Sequence, residues 1–244
     1  MKILSEEPWF ITSQEELRSY YGREDIVLIA SSGRSGSTML TDSIHGCSLS
    51  KYTVLKTHIL PPSKKFKGKI IYIFSNPDKA AESALHLTII QENFGRAHFR
   101  HLESSDKKWL KKIGKTTDQT KKYNLLAYDA LGCDIQLSQW LHQDTIPCKI
   151  NQAQILAIKY ENIWDSATQD AIKKFLALDQ FKLPPYRPRG YNDEELDPRE
   201  LVFKNMYNVG TPSEPKYEAY NKSRMLWKEA PPFQYLQIAK KKAK

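Results

Sequence analysis

The run Ile26-Val27-Leu28-Ile29-Ala30-Ser31-Ser32-Gly33-Arg34-Ser35-Gly36-Ser37-Thr38-Met39-Leu40 constrains the fold more than any other stretch of this chain. An unbroken apolar β-run empties into a short loop of glycine and hydroxyl residues. A helical pattern starts directly after it. Continuous apolar strands belong to sheets covered on both faces, which are mostly parallel and built from alternating strands and helices. There, a strand–loop–helix turn aims backbone N–H groups and a helix N-terminus at one spot, which makes an anion site. Arg34 adds a planar fork of donors suited to phosphate or sulfate.

The rest of the chain repeats the alternation. Apolar runs predict strands over 25–32, 52–58, 69–75 and 155–160. Helices are predicted over 37–46, 77–93, 120–142, 164–178, 197–208 and 217–228, with Asp165 or Ser166 able to cap the fourth. Asn76-Pro77-Asp78 reads as a turn and helix start, and residues 210–215 read as a loop. Residues 86–122 are basic and aromatic, with a weakly periodic, polar stretch at 95–120, and form a lid candidate. The expected architecture is one α/β domain over 1–244, with a central parallel sheet of four or five strands flanked by helices. Its core spans about 24–180. An extension over about 184–244 packs on the core, and Trp227 and residues 231–235 either fold back or meet a partner subunit, such as a second copy of the chain. In such sheets ligands bind beyond the carboxyl ends of the strands.

Composition removes several classes of function. Hydrophobic residues at 40% and five tryptophans support a real core. No apolar run approaches the roughly 18 residues of a membrane span, so no membrane partner is expected. The start of the chain has no signal-peptide core. Three cysteines, Cys47, Cys133 and Cys148, show no metal or redox spacing, which fits reduced thiols in the cytoplasm and no metal. The formal charge of +9 admits a polyanionic partner. Its Lys and Arg are mostly dispersed, and no RNA-binding aromatic signature accompanies them, so nucleic acid is not the expected partner.

The loop is not an ATP-type phosphate loop. In G-x-x-x-x-G-K-[ST], Gly36 would be the second glycine, the first would fall on Ser31, and the lysine on Ser37. Both defining residues are missing. Lys56-Thr57-His58 ends the second strand on the same sheet edge. His58 suits deprotonation of a hydroxyl, and Lys56 can contact the same anion. The third strand leads through Ser75 into Ser83, and the last core strand leads into Tyr160-Glu161-Asn162. Tyr160 can stack on a base or bond to it.

Taken in order, these four strand ends resemble the PAPS-dependent sulfotransferases (PAPS is 3′-phosphoadenosine-5′-phosphosulfate). Gly33-Arg34-Ser35-Gly36-Ser37-Thr38 is similar to the family's 5′-phosphosulfate loop in its arginine variant. Lys56-Thr57-His58-Ile59 is similar to its K-T-H-[L/I] motif. Ser75-Asn76-Pro77-Asp78-Lys79-Ala80-Ala81-Glu82-Ser83 is similar to its 3′-phosphate motif, and Tyr160-Glu161-Asn162 to its Tyr-Glu-Asp. The resemblance covers about residues 24–180. It implies a phosphate-loop-like sulfotransferase fold and sulfuryl transfer from PAPS, with PAP as product, to a hydroxyl or amine of a small molecule or glycan.

The resemblance also implies a set of roles. His58 is the general base, with Arg34 and Lys56 as catalytic cations. Gly33, Arg34, Ser35, Gly36, Ser37 and Thr38 hold the 5′-phosphosulfate, Tyr160 holds the base, and Ser83 the 3′-phosphate. The family's arginine for that phosphate falls on Ser75. Lys79, Arg187 or Arg189 can replace it, and Arg189-Gly190 loosely resembles the family's late Arg-Lys-Gly segment. Otherwise the donor lacks a 3′-phosphate, or only binding is retained. A kinase-like transferase on the same fold is the remaining rival.

Overall fold

The computed structural model describes residues 10–48, 51–62, 66–90, 101–106, 128–141, 155–186 and 217–236. Within them runs one six-stranded sheet: β1 (Phe10–Ile11), β2 (Ile26–Ser31), β3 (Thr53–Thr57), β4 (Lys69–Phe74), β5 (Ile155–Lys159) and β6 (Phe233–Tyr235). The spatial order is β1-β3-β2-β4-β5-β6. All neighbours are parallel except β6, which runs antiparallel to β5.

β2 is the middle of the assembly, and all six of its residues are buried. Val27 and Ile29 face one core with Ile71, Ile73, Leu156 and Ile158. Ile26, Leu28 and Ala30 face the other with Ile70, Tyr72, Phe74 and Ala157. Successive side chains of a strand point to opposite faces, so an unbroken apolar run is what a doubly covered strand requires. Helices α2 (Ser37–Cys47) and α5 (Ser166–Leu176) supply Leu40, Ile44, Ile172, Phe175 and Leu176 to the first core. Helices α1 (Gln14–Arg18), α3 (Pro77–Ile90) and α4 (Cys133–Leu141) supply Leu17, Ala81, Ala84, Leu137 and Trp140 to the second. Leu226 and Trp227 of α6 (Asn221–Glu229) pack against that second core from its rim.

The chain leaves β2 toward β3 on one side, then crosses to β4 on the other. The order therefore reverses at β2, and a crevice opens beyond its carboxyl end, where ligands of open α/β sheets sit. The register brings four ends to this edge, with Ala30 beside Thr57, Ser31 beside Ile73 and Phe74 beside Lys159.

Three expectations need correction, and the open choice for residues 231–235 is resolved. The sheet has six strands among the described residues rather than four or five. β1 is too short to show a period, and β6 follows Pro231-Pro232, where a strand signal is weak. The segment 231–235 folds back as a strand on β5. The long helix over 120–142 is also shorter. Residues 128–131 form a turn, and Gly132, at φ 65°, precedes α4. A side chain at Gly132 would strike the Ser104 carbonyl. Asp129 accepts hydrogen bonds from the N–H groups of Cys133 and Asp134, at 2.9 and 3.0 Å, and starts α4 there. Finally, Asp165 precedes α5 without capping it, because its carboxylate takes the Asn162 amide at 2.9 Å. Residues 120–127, the helix at 197–208, the loop at 210–215 and most of the lid candidate lie outside the described residues.

Candidate active site

β2 hands over to α2 through an unusual backbone. Gly33, Arg34 and Gly36 lie at φ 83°, 57° and 73°, all left-handed. Two are glycines, which adopt this region without strain, whereas Arg34 carries a Cβ there at some cost. Such a turn directs successive N–H groups inward and forms an anion-binding concavity. Gly36 caps α2 and brings no side-chain acceptor to its first turn. A Cβ at Gly36 would collide with the Tyr160 ring, so glycine is required by backbone and space together.

Beneath the turn the hydroxyls form a buried chain. Ser35 Oγ donates to the Gly33 carbonyl at 3.0 Å and lies 3.1 Å from Ser75 Oγ and 3.5 Å from Ser32 Oγ. Ser37 is buried at the start of α2, where its carbonyl accepts from Thr41 Oγ1 at 2.7 Å. Tyr160 sits at the end of β5, with its ring edge-on to Trp164 at 5.3 Å.

Two cations meet this turn. Arg34 Nε donates to Ser83 Oγ on α3 at 2.9 Å. Lys56 reaches from β3 to the first turn of α2 and donates to Thr38 Oγ1 at 2.6 Å. Its ammonium also lies 5.2 Å over the Phe10 ring of β1. Burial, and then the Arg34 charge, lower the Lys56 pKa to about 8, against a smaller opposing pull from Asp42.

His58 follows β3 directly and is buried, with 2% exposure. Its Nδ1 lies 3.1 Å from the Ser31 carbonyl and 2.9 Å from Ser31 Oγ. A carbonyl can only accept, so that contact is a hydrogen bond in the tautomer with its proton on Nδ1, while the Ser31 hydroxyl can accept from Nδ1 or donate to it. The Phe10 ring meets the imidazole edge-on at 5.3 Å, and Gln136 Nε2 of α4 donates to the His58 carbonyl at 2.9 Å.

The third strand end is organised differently from what the sequence suggested. Ser75 is buried and turned to Ser35, inside the loop's own hydroxyl chain. Asn76 Oδ1 accepts from Asp78 N at 3.0 Å and starts α3, with Pro77 in its first turn. Asn76 N donates to Glu161 Oε1 at 2.8 Å. Asp78, fully buried, takes both arms of Arg224 at 2.6 and 2.7 Å and the Tyr217 N–H at 2.8 Å. Lys79 is exposed. Arg187, Arg189 and Gly190 lie outside the described residues.

Gly33–Thr38, Lys56, His58, Ser75, Ser83 and Tyr160 thus share one sheet edge. Sequence reasoning missed Ser31, Phe10, Gln136 and the Arg224 clamp. Ser31 entered only as a residue of the first strand and as the position of the missing Walker glycine, and nothing local ties Arg224 to Asp78. Among the described residues no His/Cys/Asp/Glu group could hold a metal, and no helix is long and apolar enough to cross a membrane.

The comparisons with known proteins can be set against this geometry. No family model matches the chain, and no curated protein matches it. Among solved structures it is similar to a crystal structure of mouse sulfotransferase SULT7A1 complexed with PAP. That likeness covers 89% of this chain and 93% of that chain, at 16% identity and a TM-score of 0.49.

Proposed function

We propose that this protein is a PAPS-dependent sulfotransferase acting on a hydroxyl or amine of a small-molecule or glycan acceptor, in the cytoplasm. The observation that carries this is the joining of a base to an anion turn. His58 Nδ1 lies 2.9 Å from Ser31 Oγ, and Ser31 Oγ accepts the Gly33 N–H at 3.2 Å. In the tautomer with its proton on Nδ1, the His58 ring offers Nε2 as the base, and the turn is suited to hold a leaving phosphate. The donor's 5′ end fits the residues present: left-handed N–H donors, an open helix start, and two cations.

Each residue then has a task in an in-line transfer. His58 Nε2 takes the acceptor proton while the acceptor oxygen or nitrogen bonds to sulfur. The S–O bond to the 5′-phosphate breaks with its electron pair staying on the phosphate oxygen. Lys56, Arg34 and the N–H groups of the turn hold that growing charge, where one such donor is commonly worth a factor of about 10² to 10³ in rate. The lysine that a Walker loop carries after its second glycine is replaced here by Lys56, arriving from the neighbouring strand. Ser83 is the residue we assign to the donor's 3′-phosphate, while Arg34, bonded to it, serves the 5′ end.

The test is PAP release from PAPS in the presence of acceptor pools. His58→Ala should abolish turnover and keep PAP binding, while Arg34→Ala should weaken PAP binding. Ser75 supports a second reading, a PAP-binding protein without turnover. It predicts thermal stabilisation by PAP with no PAP release from PAPS. Stabilisation by ATP with magnesium instead would favour the kinase-like alternative.

A further inference from the structure

We propose that Ser31 is a positioning residue that joins the anion turn to the base: one hydroxyl holds the Gly33 N–H and the His58 imidazole together. This rests on the sulfotransferase reading for its catalytic meaning, but its geometry stands without it. Ser31 closes β2, is fully buried, and is locked in register beside Ile73 of β4. It contributes two acceptors to one imidazole nitrogen, its carbonyl at 3.1 Å and its hydroxyl at 2.9 Å. The same hydroxyl accepts the first N–H of the left-handed turn at 3.2 Å.

A hydroxyl oxygen has two lone pairs and one proton. Here one lone pair faces Gly33 and the other faces the imidazole. A donor anion seated in the turn competes for the Gly33 N–H. That competition moves electron density at the Ser31 oxygen toward the Nδ1 proton and strengthens Nε2 as a base. The base is thereby readied by donor binding. The two Ser31 oxygens and the Phe10 edge support the imidazole, and the Gln136 amide holds the His58 carbonyl. The Ser31 oxygens would also stabilise the imidazolium formed in the transfer.

The test uses full-length protein with ¹⁵N-labelled histidine, as wild type, Ser31→Ala and Ser31→Thr, with PAP as the probe. Wild type should show the Nδ1–H tautomer at His58, and PAP should shift the His58 ring resonances. In Ser31→Ala the backbone carbonyl keeps the Nδ1–H tautomer, but the His58 Nδ1 resonance should move with the lost hydroxyl, the PAP-induced shift should vanish, and kcat should fall about tenfold. Ser31→Thr should restore all three. An unmoved His58 Nδ1 resonance in Ser31→Ala, or an Nε2–H tautomer in wild type, would overturn the proposal whether or not PAP binds. Wild-type protein that neither binds PAP nor turns over would overturn the donor reading alone, and the Nδ1 resonance would still decide the role of Ser31.

Discussion

Lys56 shows how a single side chain records what the site is for. Burial and the Arg34 charge lower its pKa to about 8, so part of its charge is lost just above neutral pH. An arriving anion reverses the second cause and raises the pKa again. Binding must then take up protons wherever free Lys56 is partly neutral. PAP affinity should therefore fall as pH rises through about 8. Calorimetry near that pH in buffers of different ionisation heat should show proton uptake. Lys56→Arg keeps its charge throughout and should bind without that uptake. Equal uptake in both proteins would remove Lys56 from the anion site. Gly36 is the other decisive single position. Gly36→Ala meets a left-handed backbone costing about 1–2 kcal/mol, and its methyl strikes Tyr160. Urea unfolding should show at least that loss, together with weaker PAP binding.

Between elements, the C-terminal segment does more than cover the sheet. β6 completes the edge beside β5, and α6 sends Arg224 to the buried Asp78 in the first turn of α3. Trp227 Nε1 donates to Glu161 Oε2 at 3.2 Å, while the other oxygen of Glu161 holds Asn76 N. The turn that presents Ser75 and leads to Ser83 is thus stapled from the far end of the chain. Breaking a buried ion pair by removing one partner commonly costs about 3–5 kcal/mol, whereas replacing both partners costs far less. Arg224→Ala should lower stability by roughly that amount in denaturant unfolding. Asp78→Asn combined with Arg224→Met should recover much of it. If the double variant were no more stable than Arg224→Ala, the pair would not be the staple.

The molecule as a whole was legible where burial is complete and local. β2, β4 and β5 stood out as near-continuous apolar runs, as strands covered on both faces require, and β3 by Val54-Leu55 between two threonines. The turn stood out because two glycines and a run of hydroxyl residues interrupt the apolar pattern there. Their order along the chain then sufficed to gather Gly33–Thr38, Lys56, His58, Ser75 and Tyr160 at one edge. The rest depends on contacts that leave no local trace. β1 has two residues, and β6 follows two prolines. Gly132 could be read as a mere interruption of a helix, yet the Ser104 backbone makes it a boundary. Arg224 finds Asp78 across a sequence gap of 146 residues. Ser75 was in view from the start, but only the fold shows that it turns into the hydroxyl chain under the loop. This leaves Arg34 as the cation bonded to Ser83.

Sulfuryl transfer by a base joined to an anion turn is read out by single-turnover transfer of ³⁵S from labelled PAPS to an acceptor pool. Wild-type protein and His58→Ala are compared, with PAP binding measured on both. Wild type is expected to transfer label and release PAP, and His58→Ala to bind PAP within a few-fold of wild type while transferring no label. Transfer by His58→Ala at the wild-type rate, or PAP binding by wild type with no transfer to any acceptor, would contradict the account.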